Sequence, residues 1–209
     1  GASGQLGTQI LASSLGKDES LIVAPRALRL VESDAVVSYV KKHRPEWIVN
    51  AGAMTDVDAA HLDPERALQV NGLAPGVLAG AAQEVGARVI HISSEAVYDG
   101  STQLPYTEAD ACRPVSVYGV SKLTGDLLTL TYSPESYVLR TSWLYSGQRG
   151  SNFPTRILDQ LEDPGKELSV VTDIVGNPTP ASLVVDAIHA ILRSPPDPGL
   201  YHVCARGPA

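Results

Sequence analysis

The sequence predicts an α/β fold, a doubly wound parallel sheet with helices on both faces and part of a smaller second lobe. Three observations predict it. Short β-rich runs alternate with segments whose apolar residues recur at helical spacing, the pattern of strand–helix–strand units. A chain of 209 residues that is 44% hydrophobic is long enough to enclose a sizeable core. The alternation loosens only between Tyr145 and Pro180, where an insertion belonging to a second lobe is expected.

The elements follow in order. Leu21-Ile22-Val23-Ala24 reads as a short strand stopped by Pro25. Ser33 and Asp34 are candidate caps of a helix with Val36, Val37 and Val40 on one face, and Pro45 follows its end. Trp47-Ile48-Val49-Asn50 is the next strand. Asp63-Pro64-Glu65 is a strong helix start, an N-cap followed by proline. That helix carries Leu68, Leu73, Val77 and Leu78 and should run to about Val85. Arg88 to Ile92 is a strand ending in Ser93-Ser94. A loop with Gly100, Pro105 and Pro114 leads to a helix from about Val115 to Leu130. Tyr137 to Arg140 and Leu168 to Val171 read as strands. Asn177-Pro178-Thr179-Pro180 breaks the chain before a helix through Val184, Ile188 and Ile191, and Tyr201-His202-Val203 is the last strand.

Composition narrows the function. Lys and Arg total 16 against 23 Asp and Glu, a formal net charge of −7, which argues against a binder of nucleic-acid phosphates. No apolar run approaches the ~18 residues of a membrane span. Cys112 and Cys204 stand far apart and the five histidines are dispersed, so neither a disulfide framework nor a metal site is expected. A cytoplasmic protein with reduced thiols fits this usage.

Three short motifs carry chemistry. Gly1, Gly4 and Gly7 are spaced by three before a segment with Leu6, Ile10 and Leu11 on one helical face. At a strand-to-helix turn, such glycines let the backbone approach a pyrophosphate at the helix N-terminus. That context needs a strand before Gly1, and clustered glycines also mark ordinary turns. Ser94 ends a predicted parallel strand, where open α/β sheets bind ligands, although serines there also simply cap turns. Tyr118 and Lys122 lie four apart on a predicted helix and share a face. A nearby ammonium is expected to lower the phenol pKa and suit it to acid/base work. A solvated helix face with one Tyr and one Lys gives the same spacing.

Glycine turn, strand-end serine and Tyr-x-x-x-Lys, in that order, resemble the extended short-chain dehydrogenase/reductases, which have a Rossmann-type fold. Longer strings sharpen this: 48–53 (Ile-Val-Asn-Ala-Gly-Ala), 55–58 (Thr-Asp-Val-Asp), Val70-Asn71, 91–100, Pro105-Tyr106 with Glu108, and 117–125. Arg140-Thr141-Ser142-Trp143-Leu144-Tyr145, Asn152-Phe153 and the stretch from Asp173 through Gly176 to Pro178-Thr179 complete the set. Together they are similar to the dTDP-4-dehydrorhamnose reductase family over nearly the whole chain.

The resemblance implies reduction of the 4-keto group of a dTDP-4-dehydro-6-deoxysugar by a nicotinamide cofactor. Tyr118 would be the general acid. Lys122 would stabilise its phenolate and hold the nicotinamide ribose, and Ser94 would hydrogen-bond the carbonyl oxygen. Gly1, Gly4, Gln5, Leu6 and Gly7 would meet the pyrophosphate, and Ala53, Met54 and Thr55 the cofactor from a strand end. Glu95 and Trp143 would line the sugar site. Residues 1–143 and 181–204 would form the NAD(P)-binding core and 144–180 the start of the substrate lobe. The family pattern also implies a first strand before Gly1 and more of the lobe after Gly207, hence a longer polypeptide.

The chain departs from the family in places. Ser93-Ser94-Glu95-Ala96-Val97-Tyr98 stands where Ser-Thr-Asp-Tyr-Val-Phe is usual, and Ala96 removes an aromatic beside the substrate. Pro25-Arg26 replaces the acidic residue expected on the adenosine ribose, and Arg29 lies near another usual Asp. An arginine pairs with a 2′-phosphate, so Arg26 favours NADPH, with NADH open. A homodimer is compatible with the family. A non-catalytic NADP-binding regulator, resembling the methionine adenosyltransferase β subunit, keeps a similar Tyr-x-x-x-Lys; Trp143 and the 55–58 string favour the reductase. An epimerase or dehydratase is a third reading, weakened because Glu95 is the sole acidic residue beside the strand-end serine.

Overall fold

A computed structural model describes residues 1–18, 20–147, 153–162, 165, 167 and 175–207. The elements are α1 (Gln5–Ala12), α2 (Ser33–His43), β1 (Trp47–Asn50), α3 (Val57–Leu62), α4 (Pro64–Ala67) and α5 (Ala74–Val85). Then come β2 (Arg88–Ser94), α6 (Val117–Tyr132), β3 (Tyr137–Thr141), β4 (Leu144–Tyr145), α7 (Phe153–Leu161), β5 (Thr179–Pro180), α8 (Ala181–Arg193) and β6 (Gly199–His202). Strands β1, β2, β3 and β6 form one parallel sheet in that order, with Ser94 level with Thr141.

The two-residue period of the strands sends alternate side chains to two helical layers. Ile90 and Leu139 meet Leu6 and Ile10 of α1 and Val184, Val185 and Ile188 of α8. Val89 meets Ala82 and Ala87 on the other side, where α2 packs on α5 and α5 on α6. The sheet is therefore covered on both faces, as the alternation of the sequence predicts. No described helix is long and apolar enough to cross a membrane.

Several local expectations need correction. Leu21 to Ala24 is not a strand: Leu21, Ile22 and Val23 are 39%, 50% and 48% exposed. A strand persists only where a neighbour takes its backbone hydrogen bonds, and no described strand runs beside this segment. Helix α2 begins at Ser33 without a side-chain cap. Asp63 does cap α4, accepting from the Arg66 amide at 3.1 Å, but a π-helical turn at Leu68–Leu73 interrupts the run to Val85. The short helix α3 after Asp56 was not anticipated, although Asp56 caps it by accepting from the Ala59 amide. The last strand starts two residues earlier than expected. Leu168 to Val171 lies outside the described residues.

Strands β4 and β5 pair in parallel, so the loosely patterned segment leaves the sheet and returns at one place. Ile188 is fully buried at the centre of the α8 layer. Ile188→Ala is expected to lower unfolding stability by about 2–5 kcal/mol through the cavity it leaves, measured by urea denaturation.

Candidate active site

The site forms at the carboxyl edge of the sheet, where strand ends leave backbone and side chains uncovered by helices. Ser94 ends β2, Trp143 follows β3 by two residues, and Gly52-Ala53 follows β1. Gly1 lies against the same edge: a Cβ placed there would stand 2.3 Å from the Ala51 carbonyl carbon.

Helix α6 brings the other groups. Ser116 caps it by accepting from the Gly119 amide at 3.0 Å. A Cβ at Gly119 would come within 2.1 Å of the Ala96 carbonyl oxygen, and one at Gly125 within 2.1 Å of the Asn71 oxygen. Only glycine permits these two approaches, which seat the first turns of α6 against the turn after β2 and against the π-helical turn. Tyr118 and Lys122 lie on the part of the helix so seated.

Lys122 is 1% exposed and its Nζ donates to the Ile92 carbonyl at 2.7 Å, two residues before Ser94. Burial pushes its pKa down to about 8, with the Asp126 carboxylate pulling the other way. Ser94 donates from Oγ to Glu95 Oε2 at 2.9 Å and accepts from the Ala96 amide at 3.2 Å. Burial raises the Glu95 carboxyl, and the Ser94 hydrogen bond partly offsets that. The expected lowering of Tyr118 does not occur. Burial pushes its phenol up to about 12, the Ser94 hydroxyl pulls it partly back, and the Glu95 charge adds to the rise. Desolvation penalises the phenolate and is the largest cause of the rise, while the Lys122 ammonium is hydrogen-bonded to the Ile92 carbonyl. The phenol is therefore protonated at neutral pH.

Behind Lys122 lies a buried polar seam. Asp126, one turn further along α6, accepts from Arg140 Nε at 3.0 Å. Arg140 Nη1 donates to the Tyr98 hydroxyl at 2.7 Å, which sits 2.9 Å from His202 Nε2. His91 Nδ1 takes Asn50 Nδ2 at 3.1 Å, and its Nε2 faces Asp126 Oδ1 at 4.0 Å. Burial, and then the Lys122 charge, hold His91 neutral.

The other predicted residues are placed as follows. Gly4 caps α1 without a side chain, and the first turn of α1 carries no acidic residue. Gln5 is half-buried, whereas Leu6 is buried in the α8 layer, so its side chain packs in the core and does not face a ligand. A Cβ at Gly7 would stand 2.2 Å from the Gly1 oxygen. Ala53 and Thr55 are exposed and Met54 is half-buried after β1. Arg26 is exposed in a turn in which the Leu28 amide donates to the Pro25 carbonyl. Trp143 adopts φ 39°, rare for a bulky residue, and Gly176 lies against its indole. Among the described residues, no group of three or more His, Cys, Asp or Glu is placed to hold a metal.

Residues 1–209 match the RmlD substrate binding domain family. The chain belongs to that family. It is 41% identical over 178 residues to a dTDP-4-dehydrorhamnose reductase of Escherichia coli K12, covering 83% of this chain and 59% of that protein. It therefore spans about three fifths of that relative. A solved dTDP-4-dehydrorhamnose reductase of Clostridium acetobutylicum superposes with TM-score 0.91 at 32% identity, over 100% of this chain and 74% of that one. The Bacillus anthracis enzyme of the same name, solved in complex with NADP, gives TM-score 0.93 at 29% identity with the same coverage.

Within this RmlD-family chain, the motif reading gave no role to Asn71, Asp126 or Arg140. Asn71 is fully buried in the π-helical turn. Its Oδ1 accepts from the Met54 amide at 2.8 Å, and its Nδ2 donates to the Met54 carbonyl at 2.9 Å and Ser121 Oγ at 3.0 Å. It ties the loop after β1 to α6. The available signal was an asparagine inside a helical pattern, where its side chain competes with the backbone unless held elsewhere.

Gly119→Ala is expected to destabilise the protein by about 1–3 kcal/mol in chemical denaturation, because the methyl group forces α6 away from Ala96. Asn71→Ala is expected to cost a further, separate ~1–3 kcal/mol by leaving the Met54 backbone unpaired, with faster amide exchange at Met54 as its readout.

Proposed function

We propose that the chain is the cofactor-binding part of an NADPH-dependent dTDP-4-dehydrorhamnose reductase, which reduces the 4-keto group of dTDP-4-dehydrorhamnose to give dTDP-rhamnose. The observation that carries this reading is Ser94, Tyr118 and a buried Lys122 together at the carboxyl edge of a parallel sheet. Family membership and relatives of that name support it, and the NADP complex of the Bacillus anthracis enzyme supports the choice of cofactor. On this reading residues 1–143 and 181–204 make the dinucleotide core, and 144–180 begin the sugar-binding lobe. The β4–β5 pairing, which closes that segment at its base, supports the division.

The residues fit a nicotinamide dinucleotide. Gly1, Gly4 and Gly7 carry no side chain, and the first turn of α1 has no side-chain cap, so a pyrophosphate can approach the helix N-terminus. Bound there, the reduced cofactor supplies the hydride that the keto carbon accepts. Reduction also needs one proton, and Tyr118 gives its phenolic hydrogen to the oxygen as the C=O bond becomes C–OH. A phenol with a pKa of about 12 holds this proton at neutral pH, yet yields it to an alkoxide, which is far more basic. The phenolate left behind is stabilised by the Lys122 ammonium. One of the three Lys122 hydrogens is used by Ile92, which leaves two for Tyr118 and ribose hydroxyls. Ser94 Oγ turns its hydrogen from Glu95 to the keto oxygen, where negative charge develops. Trp143 packs against the sugar.

In the full-length protein, Tyr118→Phe is expected to lower turnover of dTDP-4-dehydrorhamnose by about 10²–10⁴-fold while NADPH still binds. Undiminished turnover removes Tyr118 from the mechanism. Wild-type protein that binds NADPH but turns over no dTDP-sugar points instead to a regulator. The pH dependence follows from Lys122: its cation is lost as pH rises through about 8, so kcat/KM should fall above that pH. Lys122→Arg, which stays charged, should move this alkaline limb beyond pH ~10 even at a lower rate.

A further inference from the structure

Gly176 backs Trp143, and the ring alone is what requires a glycine there. Its φ lies outside the left-handed region, so the backbone would accept any residue. A Cβ placed on it, however, would stand 2.5 Å from Trp143 Cζ2 and 2.9 Å from Cδ2, and closer still to Cε2. All three atoms belong to the six-membered ring, and Cδ2 and Cε2 are its fusion carbons. Gly176 therefore lies over a face of the indole and not along its outer edge.

Both partners are held in place. Trp143 sits at φ 39° between β3 and β4, and its carbonyl accepts from the Thr179 amide at 3.2 Å. Ser142 Oγ accepts from the Asn177 amide at 3.4 Å, and Leu144 pairs with Thr179. On the far side, Asn177 Nδ2 donates to the Gly207 carbonyl at 2.7 Å. Thr179 is fully buried, and its Oγ1 accepts from the Ala205 amide at 3.2 Å. Residues 176–179 are thus tied to the chain where it leaves β3 and where it leaves β6. A methyl group at 176 has no slack in the backbone to take up, so the ring must move instead.

We propose that Gly176 is a positioning residue for the sugar site: its bare Cα backs one face of the Trp143 indole and fixes the ring so that the opposite face meets the deoxysugar. The proposal rests on the reductase reading above. The electron-rich face of an indole suits the C–H face and the methyl group of a 6-deoxysugar, which present the positive ends of C–H dipoles. Gly176 acts only through Trp143 and touches no reacting atom.

The experiment is a double-mutant cycle of Gly176→Ala and Trp143→Ala in the full-length protein. It reads kcat and KM for dTDP-4-dehydrorhamnose with NADPH, and inhibition by dTDP, which lacks the sugar. Gly176→Ala is expected to raise KM about 3–10-fold, the scale of one aromatic packing contact, with kcat within about twofold. In Trp143→Ala protein the methyl group finds room, so adding Gly176→Ala should leave KM within about twofold. Inhibition by dTDP should stay within about twofold of wild type throughout, which reports that the variants are folded. A wild-type KM in Gly176→Ala protein, or an increase that multiplies with that of Trp143→Ala, overturns the proposal while the reductase reading stands. Loss of dTDP inhibition in both Gly176→Ala proteins assigns the glycine to packing alone and also overturns it. Wild-type protein that turns over no dTDP-sugar overturns the reductase reading with it.

Discussion

The structure turns on how closely α6 lies against the end of β2. Two glycines, Gly119 and Gly125, remove the side chains that would hold the helix off, and backbone oxygens of Ala96 and Asn71 occupy the space. That contact places Lys122 in the interior, where its ammonium donates to the Ile92 carbonyl. It also brings Tyr118 under Ser94.

Burying an ammonium is costly unless its hydrogens and charge find partners. Lys122 donates to Ile92, and its charge is favoured by Asp126, the start of a run of polar contacts: Asp126 on Arg140, Arg140 on Tyr98, Tyr98 beside His202. Such a seam adds little net stability compared with an apolar core, but breaking one member strands the others. It therefore acts as a positional constraint on α6. Burial, rather than the seam, sets the acidities beside it: it lowers Lys122 to about 8 against the pull of Asp126 and holds the proton on Tyr118.

The two faces of the sheet divide this work. Ile90 and Leu139 point to α1 and α8, where packing is apolar and supplies stability. His91 and Arg140 point to α6, where polar contacts arrange the site beside the apolar cluster of Val89, Ala82 and Ala87. Asn71 extends the arrangement to the loop after β1, so the backbone near Ala53 and the helix bearing Lys122 are held as one unit. The π-helical turn is the local consequence: an extra residue in the turn lets this asparagine face inward without ending the helix.

Local patterns in the sequence were enough for the strands at Trp47, Arg88 and Tyr137, the capped helix start at Asp63, the helix from about Val115, and the order of glycine turn, serine and Tyr-x-x-x-Lys. Period, capping and turn chemistry act over a few residues and can be read there. Leu21 to Ala24 shows the limit, because a strand is a property of its neighbour as much as of its own residues. The Tyr118 acidity shows it again: four-residue spacing says that an ammonium is near, not which way it points or how dry the phenol is. What tertiary structure alone decided was desolvation and partner choice, since both depend on segments brought together across tens of residues.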